Sequence, residues 1–243
     1  MKNWVAKRYW IVGASDGLGA AVAEKLSRAG VELVLSARSE DKLKELSERL
    51  PAPSDVMPLD VQDSEAVQAA YKDLGHLDGV VFLAGVYWPF GADEWDFDQA
   101  ETMADVNFTG AMRVVGAVLP DFVARDRGHI VITGSLTGYR GLPGSVAYTA
   151  SKSGVMAMAE CLYCDLRKTG VKVQLVNPGF VKTRLTEKND FPMPFIMEPE
   201  DAAQIVFEHM GNDKFSRAFP RPFSWLFRLS QFLPDWAYYR LFS

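Results

Sequence analysis

The chain has 243 residues, 48 % of them hydrophobic, and its 31 acidic against 26 basic side chains give a formal net charge of −5. This is enough chain for one α/β domain with a large core, and the acidic balance argues against general nucleic-acid binding. No apolar run is long enough to cross a bilayer, and Lys7 and Arg8 break up any secretory leader, so a cytoplasmic chain is expected.

Tyr9–Val12 reads as a first strand and runs directly into a turn with Gly13, Gly17 and Gly19, after which Leu18, Val22 and Leu26 recur at helical spacing. Glycine lets backbone approach a ligand closely, and the free N–H groups of a helix start point the same way as the positive end of its dipole. Strand, glycine turn and helix together predict an anion site; the plain alternative is a tight turn. A second strand, Val31–Leu35, leads into Ser36-Ala37-Arg38-Ser39 and a helix over Ser39–Leu50. A third, Val56–Leu59, ends on Asp60-Val61 before a helix over Ser64–Asp73. A fourth, Val80–Leu83, ends on Ala84-Gly85, and a fifth, Ile130–Ile132, is followed by Ser135 and a helix over Ala147–Lys168. The sixth, Val173–Val176, leads to Pro178-Gly179. Continuously apolar strands alternating with helices predict a doubly wound parallel sheet, Rossmann-like, with three layers α/β/α and ligands beyond the carboxyl ends of the strands.

Cys161 and Cys164 form C-x-x-C, but inside a helical pattern rather than at a helix start, so they are expected to be reduced, packed thiols. His76, His129 and His209 are scattered, without metal-ligand spacing, and no metal is expected. Tyr148 and Lys152 stand four apart in a helix and project from one face. An ammonium beside a phenol favours phenolate and is expected to lower the Tyr148 pKa towards neutrality, which suits proton transfer to a carbonyl oxygen or from an alcohol. Ser135 is placed to hydrogen-bond the same oxygen; the plain alternative is a solvated surface pair.

With these residues in this order, the chain resembles the short-chain dehydrogenase/reductases over roughly residues 8–210. The resemblance implies a cofactor turn at Gly13, Gly17 and Gly19, with Ser15, Asp16 and Leu18 also facing the cofactor. It implies an adenine contact at Asp60-Val61 and a cofactor-facing strand end at Ala84-Gly85. It also implies a catalytic set of Asn107, Ser135, Tyr148 and Lys152. Pro178, Gly179 and Val181 match the loop after the sixth strand, and Thr183 the position that binds the nicotinamide carboxamide. By this resemblance Tyr148 is the acid/base and Ser135 polarises the substrate oxygen. Lys152 lowers the tyrosine pKa and holds the ribose, and Asn107 maintains a relay to Lys152. Val12, Phe82 and Leu83 depart from the family pattern, where a threonine and two asparagines are frequent.

The family's NAD-selecting aspartate position is Ala37 here, and Arg38 follows. A guanidinium there forms a charge-assisted fork with a phosphate, with hydroxyls from Ser36 and Ser39 added, so NADP(H) is the expected cofactor. The expected reaction moves a hydride between nicotinamide and a carbonyl or secondary alcohol of a hydrophobic substrate. The alternatives are a non-catalytic dinucleotide-binding regulator and a membrane-peripheral scaffold. A homodimer or homotetramer through the Tyr148–Lys168 helix is implied.

Residues 1–212 are expected to form the catalytic domain, with a lid over 184–201 whose Phe191, Met193, Phe195, Ile196 and Met197 are apolar. Residues 213–243 hold ten aromatic side chains and a net charge of +3, leaving −8 on the remainder. Phe223, Leu226, Phe227 and Leu229 are expected on one helical face, and Trp236, Tyr239 and Leu241 on another short helix after Pro234. So dense an apolar segment is expected to bury most of its aromatics over or beside the cleft; the alternatives are a subunit interface and contact with a membrane surface.

Overall fold

The computed structural model describes residues 4–242; residues 1–3 of the expected domain and Ser243 of the tail lie outside them. Seven strands form one parallel sheet in the order β3-β2-β1-β4-β5-β6-β7. They are β1 Arg8–Val12, β2 Glu32–Ser36, β3 Ser54–Val56, β4 Gly79–Phe82, β5 Gly128–Thr133, β6 Val171–Pro178 and β7 Ser216–Phe219. The order reverses between β1 and β4, which opens a crevice beyond their carboxyl ends. The helices are α1 Gly17–Arg28, α2 Glu40–Arg49, α3 Ser64–Leu74, α4 Phe97–Ala104, α5 Gly110–Ala124, α6 Val146–Leu166, α7 Pro199–Met210, α8 Arg221–Ser230 and α9 Asp235–Phe242.

Successive strand residues alternate between two cores. Trp10, Val34, Val80, Phe82, Ile130 and Ile132 face α3, α5 and α6, packing with Val67, Val114, Val118 and Val155. Ile11, Leu33, Leu35, Val81 and Val131 face α1, α2 and α7, packing with Val22, Leu26, Leu43 and Val206. Because both faces are covered, the strands are apolar at nearly every position. Each fully buried aliphatic or aromatic side chain contributes about 1.5–3 kcal/mol. Phe82, which stands where the family pattern has asparagine, is 1 % exposed within the first core.

The elements differ from expectation where local pattern is weak. β3 spans Ser54–Val56 and starts earlier than expected, and beyond its end Met57 and Leu59 still donate to the carbonyls of Leu35 and Ala37, each at 2.9 Å, so the edge pairing continues past Pro58, whose missing N–H faces away from β2. β7 was not expected at all. Its sequence, Ser-Arg-Ala-Phe, is short and half polar, as edge strands are, and it joins β6 from within the segment assigned to the tail. Cys161 and Cys164 are exposed rather than packed; α6 turns Val155, Met156, Ala159 and Leu166 to the core, and the cysteines sit on the opposite side.

A buried polar chain crosses the sheet away from the crevice. The Tyr9 hydroxyl and His129 Nδ1 are 2.8 Å apart, and His129 Nε2 and Gln174 Oε1 are also 2.8 Å apart. Gln174 Nε2 donates to the carbonyls of His209, Asn212 and Lys214 at 2.8, 3.0 and 2.8 Å. An amide oxygen only accepts, so His129 carries its proton on Nε2 and accepts from Tyr9 on Nδ1. Gln174 thus joins β1, β5 and β6 to the α7–β7 turn. Gln174→Leu strands the His129 N–H and these carbonyls in a dry interior, and is expected to cost about 2–4 kcal/mol. Urea unfolding of the variant against the native chain measures it; a loss well under 1 kcal/mol would mean that water replaces the amide.

Candidate active site

The glycine turn is shaped by close backbone approach. Gly13 has φ +95°, and a Cβ there would lie 2.4 Å from the Ala84 amide nitrogen; one at Gly19 would lie 1.9 Å from the Gly13 carbonyl. β1 therefore passes over the end of β4 with no side chain between them. Asp16 caps α1 by accepting from the Gly17 N–H at 2.7 Å. Beyond the turn lies a cleft of about 440 Å³. All the residues expected to face the cofactor line it except Asn107.

Arg38 and Ser39 stand on the rim of this cleft, and Lys42 of α2 joins them. Ser36 does not take part: it is fully buried, and its hydroxyl accepts from Trp10 Nε1 at 2.8 Å. Asp16 draws in two cations, with Lys42 Nζ at 3.1 Å and Arg184 Nε at 2.6 Å from its Oδ2. Burial raises the Asp16 carboxyl, but the hydrogen bonds from Lys42 and the Gly17 amide and the Arg184 charge outweigh it and hold the group below its usual pKa. Neither cation was singled out in the sequence. Lys42 carried a signal, one turn beyond Arg38; Arg184 carried none.

Asn107 sits in a wide π-helical turn, Asp105–Thr109, between α4 and α5, a deformation frequent at functional sites. Its Oδ1 accepts from the Val86 N–H at 2.8 Å, and its Nδ2 donates to the Val86 carbonyl at 3.0 Å and to Ser151 Oγ at 3.1 Å. The asparagine is thereby pinned behind the cleft wall. A Cβ on Gly85 would lie 3.4 Å from Asn107 Oδ1 and 3.7 Å from Lys152 Nζ, so glycine keeps this pocket open.

Ser135 follows β5, and its Oγ accepts from the Thr137 N–H at 3.2 Å and the Thr137 hydroxyl at 3.0 Å. Tyr148 and Lys152 come from the first turns of α6. Lys152 is 4 % exposed and donates to the Thr133 carbonyl at 3.0 Å. Its ammonium is 5.9 Å from the centre of the Tyr148 ring. The Tyr87 ring meets Tyr148 edge-on at 4.8 Å and fixes its orientation.

The pKa of Tyr148 runs opposite to expectation. Burial pushes the phenol up to about 12, opposed by a hydrogen bond from Ser135 and helped by Tyr87. Burial alone brings Lys152 from its ordinary 10.5 down to about 8. Desolvation disfavours the charged form of each group and is the largest cause of both shifts. The phenol therefore keeps its proton at neutral pH, beside a second cavity.

That second cavity, about 590 Å³, shares Tyr148, Gly179, Leu185 and Thr186 with the cleft. Its far wall is aromatic, with Phe90, Phe180, Phe191, Phe223 and Phe227. Of residues 184–201, Phe191 lines this cavity and Met197 bridges to Val181, while Phe195 and Ile196 are 59 % and 42 % exposed. The tail docks through Arg140. Its Nη1 donates to the carbonyls of Ser230 and Leu233 at 2.6 and 2.8 Å, and its Nη2 meets Asp235 at 2.6 Å. Its guanidinium lies 3.9 Å over the Tyr238 ring.

The expectation that most of the tail's aromatics are buried does not hold. Phe219 and Tyr238 are, but Trp225, Phe232, Trp236 and Tyr239 are 58–83 % exposed. α8 turns Phe223 and Phe227 to the cavity and Leu226 and Leu229 to the outside, so the four do not share a face.

The donor set fits a dinucleotide: a side-chain-free glycine cradle at a helix start, rim cations at Arg38 and Lys42, and a buried Thr133 hydroxyl with no partner at the inner end. Among the described residues, no group of three or more His, Cys, Asp or Glu side chains is placed to hold a metal ion.

Residues 7–192 match the family described as short chain dehydrogenase. The chain is 38 % identical over 232 residues to an oxidoreductase of Myxococcus xanthus, covering 93 % of this chain and 92 % of that one. It is 34 % identical over 200 residues to an oxidoreductase of Staphylococcus epidermidis, covering 81 % and 87 %. Among solved structures, a short-chain dehydrogenase from Sphingobium yanoikuyae in complex with NADPH superposes with TM-score 0.83 at 26 % identity over 88 % of each chain. A short-chain dehydrogenase/reductase from Burkholderia phymatum in complex with NAD superposes with TM-score 0.86 at 25 % identity, over 95 % of this chain and 94 % of that one.

The lowered Lys152 pKa has a consequence for stability. The folded chain releases this proton near pH 8 and the unfolded chain near 10.5. Between these values the unfolded state binds more protons, so Lys152 makes stability rise with pH across the window. Native stability relative to Lys152→Met is therefore expected to increase from pH 8 towards 10.5, measured by urea unfolding at intervals. A flat difference would mean that the ammonium is solvated in the fold.

Proposed function

The chain belongs to the short-chain dehydrogenase family, and we propose that it is an NADP(H)-dependent oxidoreductase that moves a hydride between nicotinamide and a carbonyl or secondary alcohol of a hydrophobic substrate. One observation carries the reading: the dinucleotide-shaped cleft and the aromatic cavity meet at the Tyr148 phenol. When bound, the nicotinamide supplies or accepts the hydride. The protein's part is to orient the partners and to handle the proton. A carbonyl oxygen reaching the junction accepts a hydrogen bond from Ser135 and the proton from Tyr148. The raised phenol pKa keeps Tyr148 in the protonated form that a reduction requires.

Lys152 and Asn107 act behind this pair. Lys152, with its ammonium beside Gly85 and 5.9 Å from the Tyr148 ring, would hold a ribose hydroxyl of the cofactor. Bringing an ammonium and two polar hydroxyls into one dry pocket strengthens every interaction among them. Asn107, held on three sides, positions the wall that Lys152 packs against. The aromatic far wall supports an apolar substrate, with Lys188 over Trp88 at 4.2 Å beside it.

The choice of NADP(H) rests on Arg38 and Lys42, two cations beyond β2, with no carboxylate at Ala37 to repel a 2′-phosphate. Solved relatives include complexes with NADPH and with NAD, so the preference is argued from the rim residues of this chain.

Two outcomes follow. Tyr148→Phe is expected to lower turnover by at least about 100-fold while NADPH still binds, measured with aromatic ketones and aldehydes at the NADPH absorbance and by calorimetry. Near-native turnover by that variant would overturn the chemistry. Ala37→Asp with Arg38→Ile is expected to reverse the cofactor preference, with about 10- to 100-fold lost for NADPH. Equal affinity of the native protein for both cofactors would refute the assignment of the rim.

A further inference from the structure

The helix that walls the substrate cavity has a second apolar face. Phe223 and Phe227 of α8 point into the cavity. On the opposite side, Trp225, Leu226 and Leu229 are 51–63 % exposed. In the turn and α9, Phe232, Trp236 and Leu241 are also 69–83 % exposed. So many large apolar side chains left outside in one short segment mark an interaction site.

The charges say what covers it. Arg221 and Arg228 flank the α8 stripe at its helical edge, and Arg240 stands on α9; all three are exposed. The segment's two acids, Asp213 and Asp235, are taken up by Lys172 at 3.2 Å and Arg140 at 2.6 Å, both outside the segment. The exposed arginines therefore have no compensating charge of their own segment, which carries +3 while the rest of the chain carries −8. A two-fold contact with a second copy would set this cationic face against itself. An anionic lipid surface complements it: aromatics settle at the headgroup level and arginines reach the phosphates. Among the described residues no helix is long and apolar enough to cross a membrane, so contact is in the plane of the interface.

The geometry points to α8 and α9 as an interfacial segment that seats this protein on an anionic membrane. The aromatic cavity lies directly behind α8, so a lipophilic carbonyl substrate can pass to it from the bilayer. The membrane contact stands without the chemistry; the route to the cavity rests on the reductase reading above.

Sedimentation with vesicles tests it, using mixed phosphatidylglycerol and phosphatidylcholine against phosphatidylcholine alone. The full chain is expected to bind the mixed vesicles, with tryptophan emission shifted to the blue and binding weakened by salt. Arg221→Gln with Arg228→Gln is expected to lose roughly 30-fold in partitioning to mixed vesicles. Trp225→Ser with Leu229→Ser is expected to lose at least about tenfold while keeping the native unfolding midpoint. The same apolar variant is expected to turn over a short water-soluble ketone normally and a long-chain ketone in vesicles poorly. A native chain that ignores mixed vesicles overturns the proposal. So does a native dimer that the Trp225/Leu229 variant converts to monomer, since the face then belongs to a second copy. A chain that binds vesicles but reduces nothing defeats the reading of the active site and leaves the membrane contact standing.

Discussion

Lys152 is a cation taken almost wholly out of water, and much of the site is arranged around that cost. Its ammonium has one fixed partner, the Thr133 carbonyl at the end of β5. Around it the fold leaves space rather than charge: Gly85 contributes no side chain, and Asn107, the nearest polar group on that side, spends its amide on Val86 and Ser151. A buried cation with so few partners gives up its proton easily, and its pKa falls. The same desolvation pushes the neighbouring phenol the other way.

That pocket is reached from two sides, and each approach is made by a different kind of contact. On the cofactor side, backbone meets backbone. Gly13 lies against Ala84, and a Cβ on Gly17 would lie 2.6 Å from the Thr183 methyl, so the loop after β6 closes directly on the glycine turn. Asp16 completes this closure. A carboxylate at an anion site is unfavourable alone, but Lys42 and Arg184 together exceed its charge and leave the cleft mouth cationic. Arg184 comes from the segment after β6 and Asp16 from the cap of α1, so that segment is tied electrostatically to the glycine turn. On the substrate side the contacts are between rings, with Phe180, Phe195 and Phe227 gathered around Phe223. Ring contacts of this kind add about 0.5–1.5 kcal/mol each beyond burial, and they yield to substrates of different shape more readily than a backbone seam does.

How much of this was legible in the sequence follows from the range over which each feature is determined. The parallel sheet and the glycine turn depend on local periodicity and on spacing within a few residues, and both can be read from the chain. β7 could not: four residues, two of them polar, carry no strand pattern of their own and become a strand only because β6 offers an open edge. Ser36 was misjudged by parity, since in a strand the side chain after Leu35 turns to the opposite face, here towards Trp10. Spacing put Tyr148 and Lys152 on one face of α6 correctly, but the sign of the phenol's pKa shift depends on depth, which spacing does not contain. The pairing of Asp16 with Arg184 spans most of the chain and follows only from the tertiary fold.

The tail departed from expectation for a related reason. An amphipathic helix was taken to have one apolar face, and α8 has two, separated by its serines and arginines. Both faces matter to the same site because of Arg140. That residue lies in the stretch between Ser135 and Tyr148, and it grips the end of α8, the turn after it and the start of α9. Tyr238 adds a hydrogen bond to the Gly141 carbonyl at 2.5 Å in the same stretch. The stretch between Ser135 and Tyr148, part of which lines the second cavity, is thus bonded to the end of α8 and the start of α9, the segment whose outer side chains Trp225, Leu229 and Trp236 are exposed.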